Sequence, residues 1–125
     1  MGRVCDTITT TNKPLHALFD TGAVHNYIAG KAAQELAPRS LSKPFDVGLG
    51  GSTRKIAQCR GKKAHIQGNH LNFWTYVIEE IGSDESGKEI NLILGAREMQ
   101  VWNIRIDPKE EKLDLTRFRK EFIEY

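Results

Sequence analysis

The sequence predicts a mainly β protein of one domain with one or two short helices. The chain has 125 residues, the length of a single ordinary domain. Short runs rich in β-branched and aromatic residues are broken by glycine, proline and asparagine at intervals of about ten residues, as in antiparallel sheet proteins. Charged residues make up 27% and hydrophobic residues 39%, which favours a globular chain over a disordered one.

The composition excludes several function classes. Eighteen Lys and Arg against 16 Asp and Glu leave a net charge of +2, so no nucleic-acid partner is expected. Two cysteines, Cys5 and Cys59, cannot form a dense disulfide framework, and free thiols are predicted. No apolar run approaches the ~20 residues that span a bilayer, and no signal-peptide pattern opens the chain. We therefore expect a cytoplasmic protein without a membrane partner.

Two strands open the chain as a hairpin. The segment Arg3 to Thr10 alternates weakly, residues 11–14 have turn chemistry, and Leu15 to Phe19 is the predicted returning strand. That strand leads directly into Asp20-Thr21-Gly22-Ala23.

A short helix and a long hairpin follow. Apolar residues recur at helical spacing over Ile28 to Ala37, and Pro38 ends the predicted helix. From Phe45 to Cys59 two extended arms flank Gly48-Leu49-Gly50-Gly51-Ser52, which predicts a mobile hairpin with a glycine-rich tip.

The second half of the chain supplies most of the predicted core. Strands are expected at Lys63 to Gln67 and at Leu71 to Glu79, around a turn at Gly68-Asn69-His70. The polar stretch Gly82 to Glu89 reads as a surface loop without assigned chemistry.

The last predicted elements are short. Ile90 to Leu94 forms an apolar run typical of a strand buried on both faces, and it ends at Gly95. A helix at Ala96 to Trp102, a strand at Ile104 to Ile106 and a closing strand at Leu113 to Leu115 follow.

The first candidate functional residue is Asp20, a carboxylate at the end of an apolar strand. A charge in that position is unfavourable unless partners solvate it or chemistry uses it. Gly22 would let backbone amides approach the carboxylate, and the Thr21 hydroxyl could bond across to a facing copy. The same residues also fit an Asx-type turn, so the triplet alone does not show whether Asp20 has a functional or a structural role.

A second element completes a recognisable pattern. Leu92-Ile93-Leu94-Gly95 places a glycine 75 positions after Asp20. Together with the glycine-tipped hairpin about 30 residues after Asp20, this order of elements resembles the retroviral-type aspartic proteases, the retropepsins, from about Arg3 to Leu115. The run Asp20 to Ile28 is similar to the gypsy-type retrotransposon proteases and their cellular relatives.

The resemblance implies a retropepsin-like acid protease fold, a closed β-barrel-like domain over residues 1–115 with a tail at 116–125. It implies that Asp20 is catalytic and that the other site residues form three groups. These are the active-site loop Thr21, Gly22 and Ala23, the substrate-covering flap Leu49, Gly50, Gly51 and Ser52, and a strand behind the loop, Ile93, Leu94 and Gly95. Candidate apolar pocket walls are Ala23, Leu49, Ile56 and Ile93, although Ile56 and Ile93 fit plain core positions equally well.

One catalytic aspartate per chain implies a homodimer. This type of hydrolysis uses two carboxylates that share a proton. The other Asp-x-Gly, at Asp46, lies inside the predicted flap and too near Asp20 to belong to a duplicated half, so a two-fold axis would supply a second Asp20. The expected function is an aspartic endopeptidase acting on a peptide or polyprotein without a cofactor. The alternative is a catalytically silent domain that dimerises or binds peptides.

The chain also departs from the viral pattern. Viral retropepsins typically carry an acidic residue directly after Asp-Thr-Gly-Ala and an arginine just after the second glycine, whereas this chain has Val24 and Ala96 there, with Arg97 one position late. The supporting ion pair of the viral dimer is therefore expected to be absent. The four histidines and two cysteines lack metal-site spacing, so no metal site and no thiol protease pair is predicted.

Overall fold

The protein is mainly β in the computed structural model, which describes residues 3–11, 13–34, 39–40 and 57–120. The helices are α1 (Gly30–Ala33) and α2 (Ala96–Trp102). The strands are β1 (Arg3–Thr10), β2 (Lys13–Asp20), β3 (Tyr27–Ala29), β4 (Arg39–Ser40), β5 (Ala57–Ile66), β6 (Asn69–Ile78), β7 (Leu92–Gly95), β8 (Arg105–Asp107) and β9 (Lys112–Asp114). The predicted fold class is confirmed.

Six of the strands close into a barrel. Their order is β1-β2-β7-β3-β6-β5, and β5 returns to β1 where Thr9 pairs with His65. Two of the pairings, β2 with β7 and β3 with β6, are parallel, and the others around the barrel are antiparallel. The contact between β5 and β1 closes the barrel at a single residue pair, which brings the two ends of the six-strand order together.

The core fills the barrel with alternate residues of each strand. The register of β1 and β2 places Ile8 opposite Leu15 and Val4 opposite Phe19, and all four side chains are buried. Successive residues of a strand point to opposite faces, so Arg3, Cys5 and His16 lie on the outer face of this hairpin. The other core residues include Ile28, Ile66, Leu71, Phe73, Leu92, Leu94 and Met99.

The structure corrects the start of the first predicted helix. Tyr27 pairs with Tyr76 of β6 and with Ile93 of β7, so residues 27–29 form strand β3. The helix begins at Gly30, because the backbone groups before it bond to neighbouring strands. Apolar spacing does not distinguish a short strand from the start of a helix, since a buried strand and the buried face of a helix are both apolar. The predicted helix end at Ala37 lies outside the described residues.

The turn between β5 and β6 lies one residue earlier than predicted. Gln67 and Gly68 both have positive φ, 47° and 80°, which is the backbone of a two-residue hairpin turn. Asn69 and His70 therefore belong to β6, where they pair with Ile66 and His65.

The loop between β6 and β7 is built around Asp84. Its Oδ1 accepts hydrogen bonds from the Ser86 amide at 2.9 Å, the Ser86 hydroxyl at 2.7 Å and the Lys88 amide at 3.0 Å. The hydrogen bonds from Ser86 and His16 hold the pKa of the Asp84 carboxyl well below its usual range. The segment is a surface loop, as predicted, but one ionised side chain organises it.

The C-terminal elements follow the prediction closely. Helix α2 spans the predicted residues, and β8 and β9 pair as an antiparallel hairpin. Phe118 stacks on Trp102 with ring centroids 5.7 Å apart, and the Arg119 amide donates to the Trp102 carbonyl at 2.8 Å. Residues 118–119 of the predicted tail therefore pack against α2. The described helices are too short and too polar to cross a bilayer.

Candidate active site

Asp20 is the last residue of β2, and its carboxylate is fixed from two sides. The Gly22 amide donates to Oδ1 at 2.8 Å, while the Arg3 Nε lies 3.4 Å from Oδ2 across the hairpin. The Arg3 side chain is 61% exposed, so this ion pair contributes about 1 kcal/mol or less. The Asp20 side chain itself is 18% exposed, which leaves it accessible to a reacting molecule.

The loop after Asp20 turns tightly on that carboxylate. The Ala23 amide donates to the Asp20 carbonyl at 3.1 Å, which closes a turn over Thr21 and Gly22. A Cβ at Gly22 would lie 3.1 Å from the Asp20 Oδ1, closer than such contacts usually are. A larger side chain would therefore crowd the amide-to-carboxylate hydrogen bond. Thr21 is exposed at the tip of the turn.

Strand β7 lies directly behind this loop. Its parallel register with β2 places Gly95 beside Asp20, and the Ala96 amide donates to the Ala23 carbonyl at 2.6 Å. A Cβ at Gly95 would lie 2.5 to 2.8 Å from the carbonyl oxygens of Ala23, Val24 and His25. The loop backbone thus occupies the space that a side chain would need, which makes glycine necessary there.

Asn26 joins the loop to three other elements, and no local sequence pattern marks it as a site residue. Its side chain is buried, and Oδ1 accepts from the Gly95 amide at 2.9 Å. Its Nδ2 donates to the Trp74 carbonyl at 2.9 Å and to the Glu98 Oε1 at 2.9 Å. Glu98 Oε2 accepts from the Trp102 Nε1 at 2.8 Å, so the network continues into α2. The sequence shows a polar residue after each motif, Asn26 after Asp20 and Glu98 after Gly95. Their contact depends on the parallel register of β2 and β7, which the sequence does not reveal.

Replacement of Asn26 by alanine is expected to lower the free energy of unfolding by about 2 to 4 kcal/mol. The change leaves the buried Gly95 amide without its acceptor and takes a donor from the Glu98 carboxylate, and an unsatisfied buried group costs about 1 to 3 kcal/mol. Urea unfolding followed by tryptophan fluorescence measures the loss. Asn69→Ala is the matched control, because within the described residues the Asn69 side-chain amide donates to carbonyls of its own turn, at 3.3 and 3.4 Å. Equal losses in the two variants would contradict the network.

The other predicted site residues divide into two groups. Ala23 and Ile93 are half-buried near the loop, and they stay candidate pocket walls. The predicted flap residues Leu49, Gly50, Gly51 and Ser52, with Asp46 and Ile56, lie outside the described residues.

An apolar patch borders the active-site loop. Val24 is 58% exposed, Val101 47% and Trp74 42%, all large fractions for such side chains. They line a groove of about 200 Å³ together with His25, Tyr76 and Arg97. The uncharged Val24 and Ala96 cannot form the viral ion pair at these positions, and an exposed apolar surface stands there instead.

The fold is similar to those of two solved proteases and one protease-like domain. The retroviral protease-like domain of Ddi1 from Leishmania major is 21% identical over 94% of this chain and 93% of that one, with a TM-score of 0.63. A retropepsin-like aspartic protease from Rickettsia conorii is 19% identical over 90% of this chain and 80% of that one, with a TM-score of 0.59. EIAV protease, solved with the inhibitor HBY-793, is 17% identical over 81% of this chain and 88% of that one, with a TM-score of 0.58.

The other comparisons gave no match, either to protein-family models or to curated proteins. The likeness therefore lies in three-dimensional structure, over most of both chains in each case. The chain has the retropepsin-like fold, and its described residues form a closed six-stranded β-barrel with two short helices.

Proposed function

We propose that the protein is an aspartic endopeptidase that hydrolyses peptide bonds as a homodimer, with Asp20 of each copy in the active site. The observation that carries the proposal is the setting of Asp20. Its carboxylate is partly exposed at a strand end, held by the Gly22 amide, and backed by the close contact of Gly95 with the following loop. A merely structural Asx turn would not need a second strand packed so tightly behind it.

A second copy is needed because one chain offers half of the chemistry. In the part of the chain that the structure describes, the contacts of the Asp20 side chain are with Gly22 and Arg3, and no carboxylate is among them. A two-fold axis beside Asp20 brings two such groups together. The exposed apolar side chains of Val24, Val101 and Trp74 border the same loop and would be buried favourably by a second subunit.

The two carboxylates would divide the chemistry between them. Repulsion between two carboxylates at close range makes ionisation of both unfavourable, so the pair shares one proton. The ionised Asp20 takes a proton from a water molecule as that water attacks the peptide carbonyl, and the protonated Asp20 donates to the carbonyl oxygen. Return of a proton to the leaving nitrogen completes the cleavage. Activity should therefore pass through a maximum with pH, because cleavage needs one protonated and one ionised carboxyl in the same pair.

The substrate would be an extended peptide or a segment of a polyprotein. The predicted flap, with Gly50 and Gly51 at its tip, would offer backbone hydrogen bonds to it as to an added strand. The half-buried Ala23 and Ile93 would contribute to apolar side-chain pockets. No cofactor enters this mechanism.

The test is a peptide-library digest at several protein concentrations, with the molecular mass measured at each. We expect cleavage whose specific rate increases with the dimer fraction and decreases with a pepstatin-like hydroxyl inhibitor. A strict monomer that cleaves at a constant specific rate would contradict the shared site. A stable dimer that cleaves no peptide would favour the catalytically silent alternative.

A further inference from the structure

A cluster of three metal-ligating side chains lies outside the candidate active site. The Cys5 sulfur, a His16 ring nitrogen and an Asp84 carboxylate oxygen all lie within 4.8 Å of one another. Among the described residues it is the one such cluster of three or more histidine, cysteine and acidic side chains. All three side chains are partly buried, and Cys5 is a free thiol.

The fold brings these residues together from three separate segments. In the hairpin register Cys5 pairs with Leu18 and Thr7 with His16, so Cys5 and His16 are diagonal neighbours on the outer face. The β6–β7 loop then places Asp84 over them, with its Oδ2 2.7 Å from the His16 Nε2. Sequence spacing could not reveal the cluster, because 68 positions separate His16 from Asp84.

We propose that Cys5, His16 and Asp84 form a binding site for a divalent transition-metal ion of the zinc class. Thiolate, imidazole and carboxylate are the three ligand types that Zn²⁺ takes in proteins. A soft sulfur together with nitrogen favours Zn²⁺ or Co²⁺ over Mg²⁺ and Ca²⁺, which prefer oxygen. The thiol would release its proton to solvent as the metal–sulfur bond forms.

The geometry requires only small side-chain movements. Two ligands at about 2.0 to 2.1 Å from a tetrahedral ion lie about 3.3 Å apart, so the 2.7 Å separation of His16 and Asp84 must widen by about 0.6 Å. The Cys5 sulfur lies within 4.8 Å of the other two ligand atoms, and at that largest separation it must move about 1 Å closer to them. Rotations about side-chain bonds supply movements of this size.

Hydrogen bonds from neighbouring residues fix the Asp84 carboxylate, as outer-shell hydrogen bonds fix carboxylates that bind metal ions. Its Oδ1 is occupied by three hydrogen bonds from Ser86 and Lys88, which turns Oδ2 toward His16. The end of the loop is also fixed to β2, since the Asn91 side chain accepts from the His16 amide and the Asn91 amide donates to the His16 carbonyl, both at 2.8 Å. The carboxylate thus stands in place before an ion arrives.

The site has room for a fourth ligand. Cys5 and Asp84 line an open cleft of about 680 Å³ beside Leu18 and Ile90. Three protein ligands with an open fourth position are typical of zinc sites that keep a water molecule. Binding would link the β6–β7 loop to the β1–β2 hairpin and stabilise the folded chain.

Titration of the reduced protein with Co²⁺ tests the site. We expect a near-ultraviolet thiolate-to-cobalt band and intense visible bands of tetrahedral Co²⁺, both displaced by Zn²⁺. Cys5→Ser should remove the thiolate band and weaken Co²⁺ binding by more than about 100-fold, since outer-shell changes alone cost about 10 to 100-fold. Cys59→Ser is the matched thiol control.

A second measurement uses the unaltered chain, so it does not depend on a variant folding. Zn²⁺ should protect Cys5 from alkylation by iodoacetamide, with Cys59 as the internal reference in peptide mass mapping. Absence of a thiolate band, a band that survives Cys5→Ser, or equal alkylation of Cys5 with and without Zn²⁺ would each overturn the proposal.

Discussion

Replacement of Asp20 by asparagine abolishes peptide cleavage in the proposed mechanism, lowering kcat/KM by more than about 10⁴-fold. Both the proton acceptor and the proton donor are lost, and one such group alone contributes about 10² to 10⁴ in rate. The fold should persist, because the amide is isosteric with the carboxyl and its oxygen still accepts from Gly22. Initial rates on the best library peptide, with circular dichroism and the molecular mass, measure the effect.

Mixing experiments separate loss of chemistry from loss of structure. Asp20→Asn chains added to the unaltered protein should lower its activity, since a mixed dimer holds only one ionisable Asp20. Asp6→Asn, on β1 of the same hairpin, is the matched control, because among the described residues the Asp6 carboxylate accepts hydrogen bonds from Thr7 and Gln67, both away from the Asp20 loop. Residual cleavage equal to that of the unaltered chain would show that another group performs the reaction.

Replacement of Gly95 by alanine should destabilise the fold by about 3 kcal/mol or more. The added Cβ would meet three backbone carbonyl oxygens at 2.5 to 2.8 Å, and backbone cannot rotate aside as a side chain can. Overpacking alone costs about 1 to 3 kcal/mol. Displacement of the loop would also break the hydrogen bond from Gly95 to Asn26. Thermal unfolding should therefore shift down by on the order of 10 °C.

The matched control is Gly30→Ala, at the first residue of α1. A Cβ there would lie 3.6 Å from its nearest neighbour, which is an ordinary contact, and alanine favours helix over glycine. That variant should be neutral or slightly stabilising. If Gly95→Ala unfolds at the same temperature as Gly30→Ala, the loop does not depend on the close approach to β7.

The sequence predicted the elements whose pattern of residues lies within one short segment of the chain. The β1–β2 hairpin, the buried strand β7 and helix α2 each carry their own pattern of apolar residues and turn residues. The glycine that ends β7 was predicted to lie near Asp20 only through the resemblance to a known family, since 75 positions separate the two.

Features that depend on strand register could not be predicted from the sequence. Residues 27–29 form a strand because β6 and β7 offer it backbone partners, which no local pattern reports. Asn26 reads as a loop residue until the parallel pairing brings Gly95 and Glu98 against it. The same holds for Cys5, His16 and Asp84, whose meeting depends on strand register and on one loop.

The parallel pairing of β2 with β7 also governs when the candidate site can assemble. Contacts between segments so distant along the chain form slowly, because closing the intervening loop is entropically unfavourable. A growing or partly folded polypeptide that has made the first hairpin still lacks the strand that supports the loop after Asp20. Competence for the proposed chemistry would then appear only after β7 has paired with β2, and nascent chains would be protected from premature self-digestion.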